Sequence, residues 1–189
     1  MQPSEFQRHL QAAGRAKCHM MHIVAPYLHR GSLLQTARAL AACEFGGGGQ
    51  QGQVQRCTLS AVTARGVCTQ YSRLQALCPR IYLVCDGYGA AAALMMQRLL
   101  SLARQAGEQV LFSPCALLPD EAPEHLLLPE KGVAFTVSNT YHAADFPVYC
   151  RIHTLLHTDT DGLKAHGQAL SHARVQLRQA VQRAILAAR

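Results

Sequence analysis

The chain has no tryptophan and only three lysines, Lys17, Lys131 and Lys164. It also lacks any run approaching the ~18 apolar residues needed to span a bilayer, so a membrane helix is not expected. No CxxC pair, and so no zinc-type double pair, occurs among the cysteines at 18, 43, 57, 68, 78, 85, 115 and 150. The first residues, MQPSEFQRHLQAAGRAK, lack the basic head and apolar core of a secretory signal. A cytoplasmic protein with reduced, mostly buried thiols is therefore expected. Acids are scarce, 11 against 18 lysines and arginines, and the net charge of +7 is carried almost wholly by arginine.

What is present is a globular composition. At 189 residues, 49% of them hydrophobic, the chain has room for one domain with a substantial core plus a helical extension. Residues 4 to 43 carry apolar positions at three- and four-residue spacing, punctuated by Pro26 and Gly31, which predicts two or three helices. FGGGGQQGQ, residues 45 to 53, has the composition of a flexible linker and marks an internal boundary. Beyond it we expect a strand over 54–63, a turn and short helix over 64–78, a strand over 81–85 and a helix over 90–106 stopped by Gly107. A second core strand over 108–115 and a proline-punctuated loop over 119–132 follow. A β-branched strand over 133–139 and a helix from Leu163 to the end complete the reading. Strands alternating with helices call for a parallel sheet, with ligands beyond the carboxyl ends of its strands.

The stretch IYLVCDGYGAAAALMM, residues 81 to 96, has the strand–turn–helix layout of a phosphate-binding loop. Such a loop needs G-x-x-x-x-G-K-[ST], in which backbone amides and the helix dipole meet the anion, lysine neutralises phosphate and the hydroxyl holds magnesium. Here Cys85 falls on the first glycine, Ala90 on the second, Ala91 on the lysine and Ala92 on the hydroxyl. Arg98 is the first basic residue along the helix, roughly 10 Å past Ala91 at ~1.5 Å per residue. Asp86, inside the loop, would repel a phosphate. The strand over 133–137 lacks a terminal aspartate for magnesium, and Asp120, Glu121 and Glu124 read as surface loop acids.

RCTLSAVTARG, the long block from Arg80 to Cys115, PEHLLLPEKGVAFTVSNTYHAADFP and the N-terminal AKCHMMHIVAPYL together resemble an uncharacterised bacterial family of tandem P-loop ATPase-like proteins. In that family two similar nucleotide-binding halves are joined by a helical hairpin. The resemblance covers most of residues 14–150. It implies an α/β, P-loop NTPase-like parallel sheet with flanking helices plus an N-terminal helical extension, matching the connector and second half and leaving the first half unmatched. The implied organisation is a connector over 1–45, a glycine-rich linker over 46–53 and a degenerate nucleotide-binding-type domain over 54–189. Cys85, Ala90, Ala91, Ala92 and Ala93 depart together from the family's glycine–lysine–serine/threonine loop.

The candidate site is therefore the degenerate loop, Cys85, Asp86, Gly87, Tyr88, Gly89, Ala90, Ala91, Ala92 and Ala93. Ser138, Asn139, Tyr141 and His142 are its expected polar lining. No catalytic residue, metal or cofactor is expected; ATP and Mg²⁺ are the ligands against which the loop is to be tested. The leading reading is a non-catalytic domain with a structural or regulatory role, partnered by a P-loop-containing companion chain or a second copy. The rival is an ATPase using Arg98, Lys131 or a partner's lysine. A nucleic-acid module built on the basic C-terminal helix, Arg174, Arg178, Arg183 and Arg189, is a third class; a solvated helix face explains that charge more simply. Among the ten histidines, Cys18 with His19 and His22, and His153 with His157, have ligand-like spacing but no further donors nearby. A Cys115 nucleophile with His125 or His142 is weighed against a simple buried thiol.

Overall fold

The computed structural model describes residues 3–48, 50–141 and 143–189, with the side chains of 119–122 outside that description. Helix α1 (Glu5–Val24) opens on a capping box, Ser4 Oγ accepting the Gln7 amide while the Gln7 side chain accepts the Ser4 amide. A single 3₁₀ turn at Pro26 leads into α2 (Arg30–Glu44). Then come β1 (Val54–Arg56), β2 (Ser60–Thr63), β3 (Gly66–Thr69), α3 (Tyr71–Leu77), β4 (Arg80–Cys85) and α4 (Ala90–Gln105). The chain continues through β5 (Val110–Cys115), β6 (Leu118–Leu128), β7 (Val133–Ser138), β8 (Cys150–His153), α5 (Thr160–Lys164) and α6 (Gly167–Ala187).

The protein is α/β, with a six-stranded, mostly parallel sheet of order β1-β5-β6-β7-β4-β8 flanked by helices. β1 runs parallel to β5, and β4 runs parallel to both β7 and β8. β6 is antiparallel to both its neighbours, β5 and β7. The sequence places a proline-rich loop there; the structure corrects it to a central strand. Pro123 lies opposite Pro114, where the β5–β6 register shifts, so both prolines sit at an irregularity that tolerates a missing amide donor. Beyond it His125, Leu126, Leu127 and Leu128 are all nearly fully buried, as a strand covered on both faces requires.

Alternation along the strands feeds two cores. Tyr82, Val84, Leu126, Leu128, Val133, Phe135 and Val137 face α2 and α4, where Leu33, Met95, Met96 and Leu99 meet them. Ile81, Leu127 and Ala134 face the other way, onto Leu74 and Cys78 beside α3. A third cluster joins α1 to α6 through Ala13, Met20, Ala173, Leu177 and Val181.

The further differences from the sequence reading are local. The 54–63 strand is broken at Cys57–Leu59 into β1 and β2, and the segment read as a turn supplies β3, pairing with β2 across a two-residue loop. The edge strand β8, CRIH, alternates over four residues only, with Cys150 and Ile152 turned inward and Arg151 and His153 exposed, a run too short to mark a strand in the sequence. The glycine-rich stretch is laid against the turn after α4: Gly52 N–H donates to Arg104 O at 2.8 Å, and Gly46 N–H to Glu108 Oε1 at 2.6 Å. A Cβ on Gly52 would lie 2.0 Å from the Glu108 carbonyl oxygen, so glycine serves close approach there.

Candidate functional site

β4 ends at Cys85 and the chain turns through Asp86, Gly87, Tyr88 and Gly89 into α4. Gly89 enters the helix at φ +90°, a left-handed conformation suited to glycine. Asp86 is only 4% exposed. Its Oδ1 accepts the Tyr88 amide at 2.8 Å and its Oδ2 accepts the Ala92 amide at 2.8 Å. Its own N–H donates to Ser138 O at 3.1 Å, which ties the turn to the end of β7. A carboxylate therefore occupies the positive start of α4, satisfying amides that a phosphate would otherwise meet. Sequence reasoning treats Asp86 as a repulsive neighbour; the fold makes it the resident anion.

The alanines have a packing role. Ala91 and Ala92 are each 2% exposed and belong to the core shared with Leu33 and Ala37 of α2. Ala90 is buried in the α1–α6 cluster, and Ala93 N–H bonds Gly89 O at 3.0 Å. A lysine at 91 would start inside the core. Cys85 is held through its carbonyl, which accepts Thr154 Oγ1 at 3.0 Å.

Basic groups from other elements approach this end of the sheet: Arg174 of α6, whose Nη2 would lie 3.9 Å from a Cβ on Gly87, and, from a place the sequence reading missed, Lys17. Lys17 of α1 puts Nζ 2.9 Å from Cys115 Sγ and 3.8 Å from Glu124 Oε1. Burial alone would lower the ammonium pKa, but Cys115, Glu124 and the more distant Asp86 outweigh it and leave it above the ordinary lysine value. Burial raises the Cys115 thiol, and Lys17 only partly pulls it back. Glu124, expected as a surface loop acid, is instead 3% exposed in β6. A signal for Lys17 existed: it lies four residues after Ala13 and four before Met21, on the stripe α1 turns inward.

The cavity beside Lys17, Gly89, Ala92, Cys115, Glu124 and Asn139 measures about 30 Å³. That is roughly one water, against about 300–1,000 Å³ for small-molecule sites. Asn139 and Tyr141 line an adjoining recess with Asp86, Tyr88 and Lys17, so this part of the expected lining does converge on the loop. Asn139 Oδ1 accepts the Tyr141 amide at 2.8 Å, and Ser138 Oγ accepts the Ala144 amide at 3.4 Å. His142 and the side chains of Asp120 and Glu121 lie outside the described residues. Burial raises the Tyr141 hydroxyl pKa, opposed by Arg178, Arg174 and Lys17. The Arg174 guanidinium lies 4.8 Å from the centre of the Tyr88 ring. Of the rival's cations, Lys131 precedes β7, at the sheet's opposite end, 3.2 Å from Glu108.

Cys115 and His125 do not form a pair. His125 is fully buried, with Nε2 2.8 Å from Ser60 Oγ and Nδ1 2.6 Å from Thr136 Oγ1. Ser60 Oγ also meets Thr69 Oγ1 at 2.8 Å, so this network clamps the β2–β3 hairpin onto the sheet. His157 Nδ1 lies 2.9 Å from Ser32 Oγ, and among the described residues no group of three metal-ligating side chains forms. No described helix is long and apolar enough to cross a membrane.

No protein family, curated protein or solved structure matches the chain.

Proposed function

We propose that this chain is a degenerate P-loop NTPase-like domain that holds no nucleotide and acts as a structural or regulatory partner of a P-loop-containing chain or of a second copy. The observation that carries this reading is Asp86, whose two oxygens take the Tyr88 and Ala92 amides at the start of α4. A triphosphate would have to displace a buried carboxylate while no loop side chain offers a compensating cation. The burial of Ala91 and the cavity of about 30 Å³ support the same conclusion.

Calorimetric titration with magnesium–ATP is the test. No heat is expected at micromolar concentrations, and none for Asp86→Gly, because removing the carboxylate restores neither lysine nor hydroxyl. Micromolar binding that depends on residues 85–93 would overturn the reading.

A second reading rests on Lys17, whose Cε would lie 3.4 Å from a Cβ on Gly89. In it, α1 supplies the lysine that the loop lacks, and ATP turnover by the purified chain disappears in Lys17→Met. The commitment of Lys17 to Cys115 and Glu124 favours the first reading.

A further inference from the structure

The sequence concentrates part of the basic charge in the last helix. The fold adds a second helix beside it. α1 and α6 pack along their length, and between them runs a groove of about 440 Å³. Arg15 and His19 stand on the α1 side, with Gln176, Gln179 and Arg183 on the α6 side. Over their 20 and 21 residues these two helices contain one acid, Glu5, which is 3.6 Å from His9 near the start of α1. Against it stand Arg8, Arg15, Lys17, Arg174, Arg178 and Arg183.

We propose that the α1–α6 groove binds nucleic acid through its phosphodiester backbone. Arg15 and Arg183 are exposed, and among the described residues neither pairs with a carboxylate. Two cations lining one groove with no acid between them repel each other, and an anion in the groove adds an attraction to each that offsets the repulsion. Arginine suits phosphate because its planar fork donates two parallel hydrogen bonds. Gln176 and Gln179 add uncharged donors of the kind that fix a protein's register on the backbone without reading sequence. Ala12, Ala16 and Ala180 form a small-residue floor that lets a strand approach closely. Arg174 and Arg178 lie on the other flank of α6, beside Tyr88 and Tyr141, and are not part of this groove.

Fluorescence anisotropy with labelled mixed-sequence DNA and RNA oligonucleotides tests this. Binding is expected at low salt, with log affinity falling linearly in log salt by about 0.7–0.9 per phosphate neutralised. Arg15→Glu with Arg183→Glu should weaken it at least about tenfold, and the milder Arg15→Gln with Arg183→Gln should reduce the salt slope by about two contacts. Arg38→Glu, on the exposed face of α2, should leave it unchanged. Circular dichroism melting checks that each variant folds. Three results would each overturn the proposal: no binding at low salt, equal loss in Arg38→Glu, or displacement by polyglutamate as readily as by unlabelled oligonucleotide.

Discussion

Two buried carboxylates tie helices to this sheet, and they do so from opposite ends of a helix. Asp86 sits at the start of α4, where the dipole is positive, and needs only backbone amides. Glu44 is the last residue of α2, where the dipole is negative. It therefore takes a full cation, Arg80 at 2.6 Å, together with the Tyr82 hydroxyl. Burial and then Glu44 push the Tyr82 hydroxyl pKa far up, so it remains a donor across the working pH range. The position of a carboxylate along a helix decides which partner it requires. It follows that Lys17 is not needed to hold Asp86, and its contacts with Cys115 and Glu124 are a separate arrangement.

The largest test of that contrast is Asp86→Ala, which leaves two amides without their acceptor and should lower stability by about 4 kcal/mol. Asp86→Asn should recover part of it, because the amide oxygen still accepts; urea melts of the two variants measure the difference. Glu44→Ala should follow at about 3 kcal/mol, reduced because Arg80 is half exposed and regains water. If Glu44→Gln were as stable as wild type, the need for a cation at the negative helix end would be refuted. Gly52→Ala comes next, at about 2 kcal/mol, because the new methyl meets the Glu108 backbone rather than a movable side chain. A melt unchanged by that substitution would mean that the glycine-rich stretch serves as slack rather than as packing.

The smallest effect is pH dependent. Burial, and then His29, lowers the His157 pKa. The unfolded chain therefore binds the proton first, so stability should fall as pH drops below about 6.5 and level off once the folded form is protonated as well. In His157→Asn this part of the melting-temperature profile should flatten.

Where neighbouring residues decide the structure, the sequence reveals it. Alanine propensity and Gly107 bound α4, and the apolar run before Cys85 marks β4. β6 was hidden because its prolines signal a loop, and only a register shift against Pro114 makes them compatible with a strand. In the site, the convergence of Asp86, Asn139 and Tyr141 follows from where the strands end. Lys17 does not, since its contact with Cys115 joins residues 98 positions apart and needs α1 laid over the sheet's end. The role of Asp86 lies between these cases: its place in the turn is local, but its capture of the amides depends on the turn's three-dimensional course.

The antiparallel course of β6 also bears on the order of folding. β5, β6 and β7 are consecutive in the chain and adjacent in the sheet, joined by links of two and four residues. Such a meander closes short loops and should form early, whereas β4 must arrive from the far side of α4, and α1 from further still. The turn carrying Asp86 would then be completed late. In pulse-labelled hydrogen exchange, the amides of Leu126 and Phe135 should gain protection before that of Ala92.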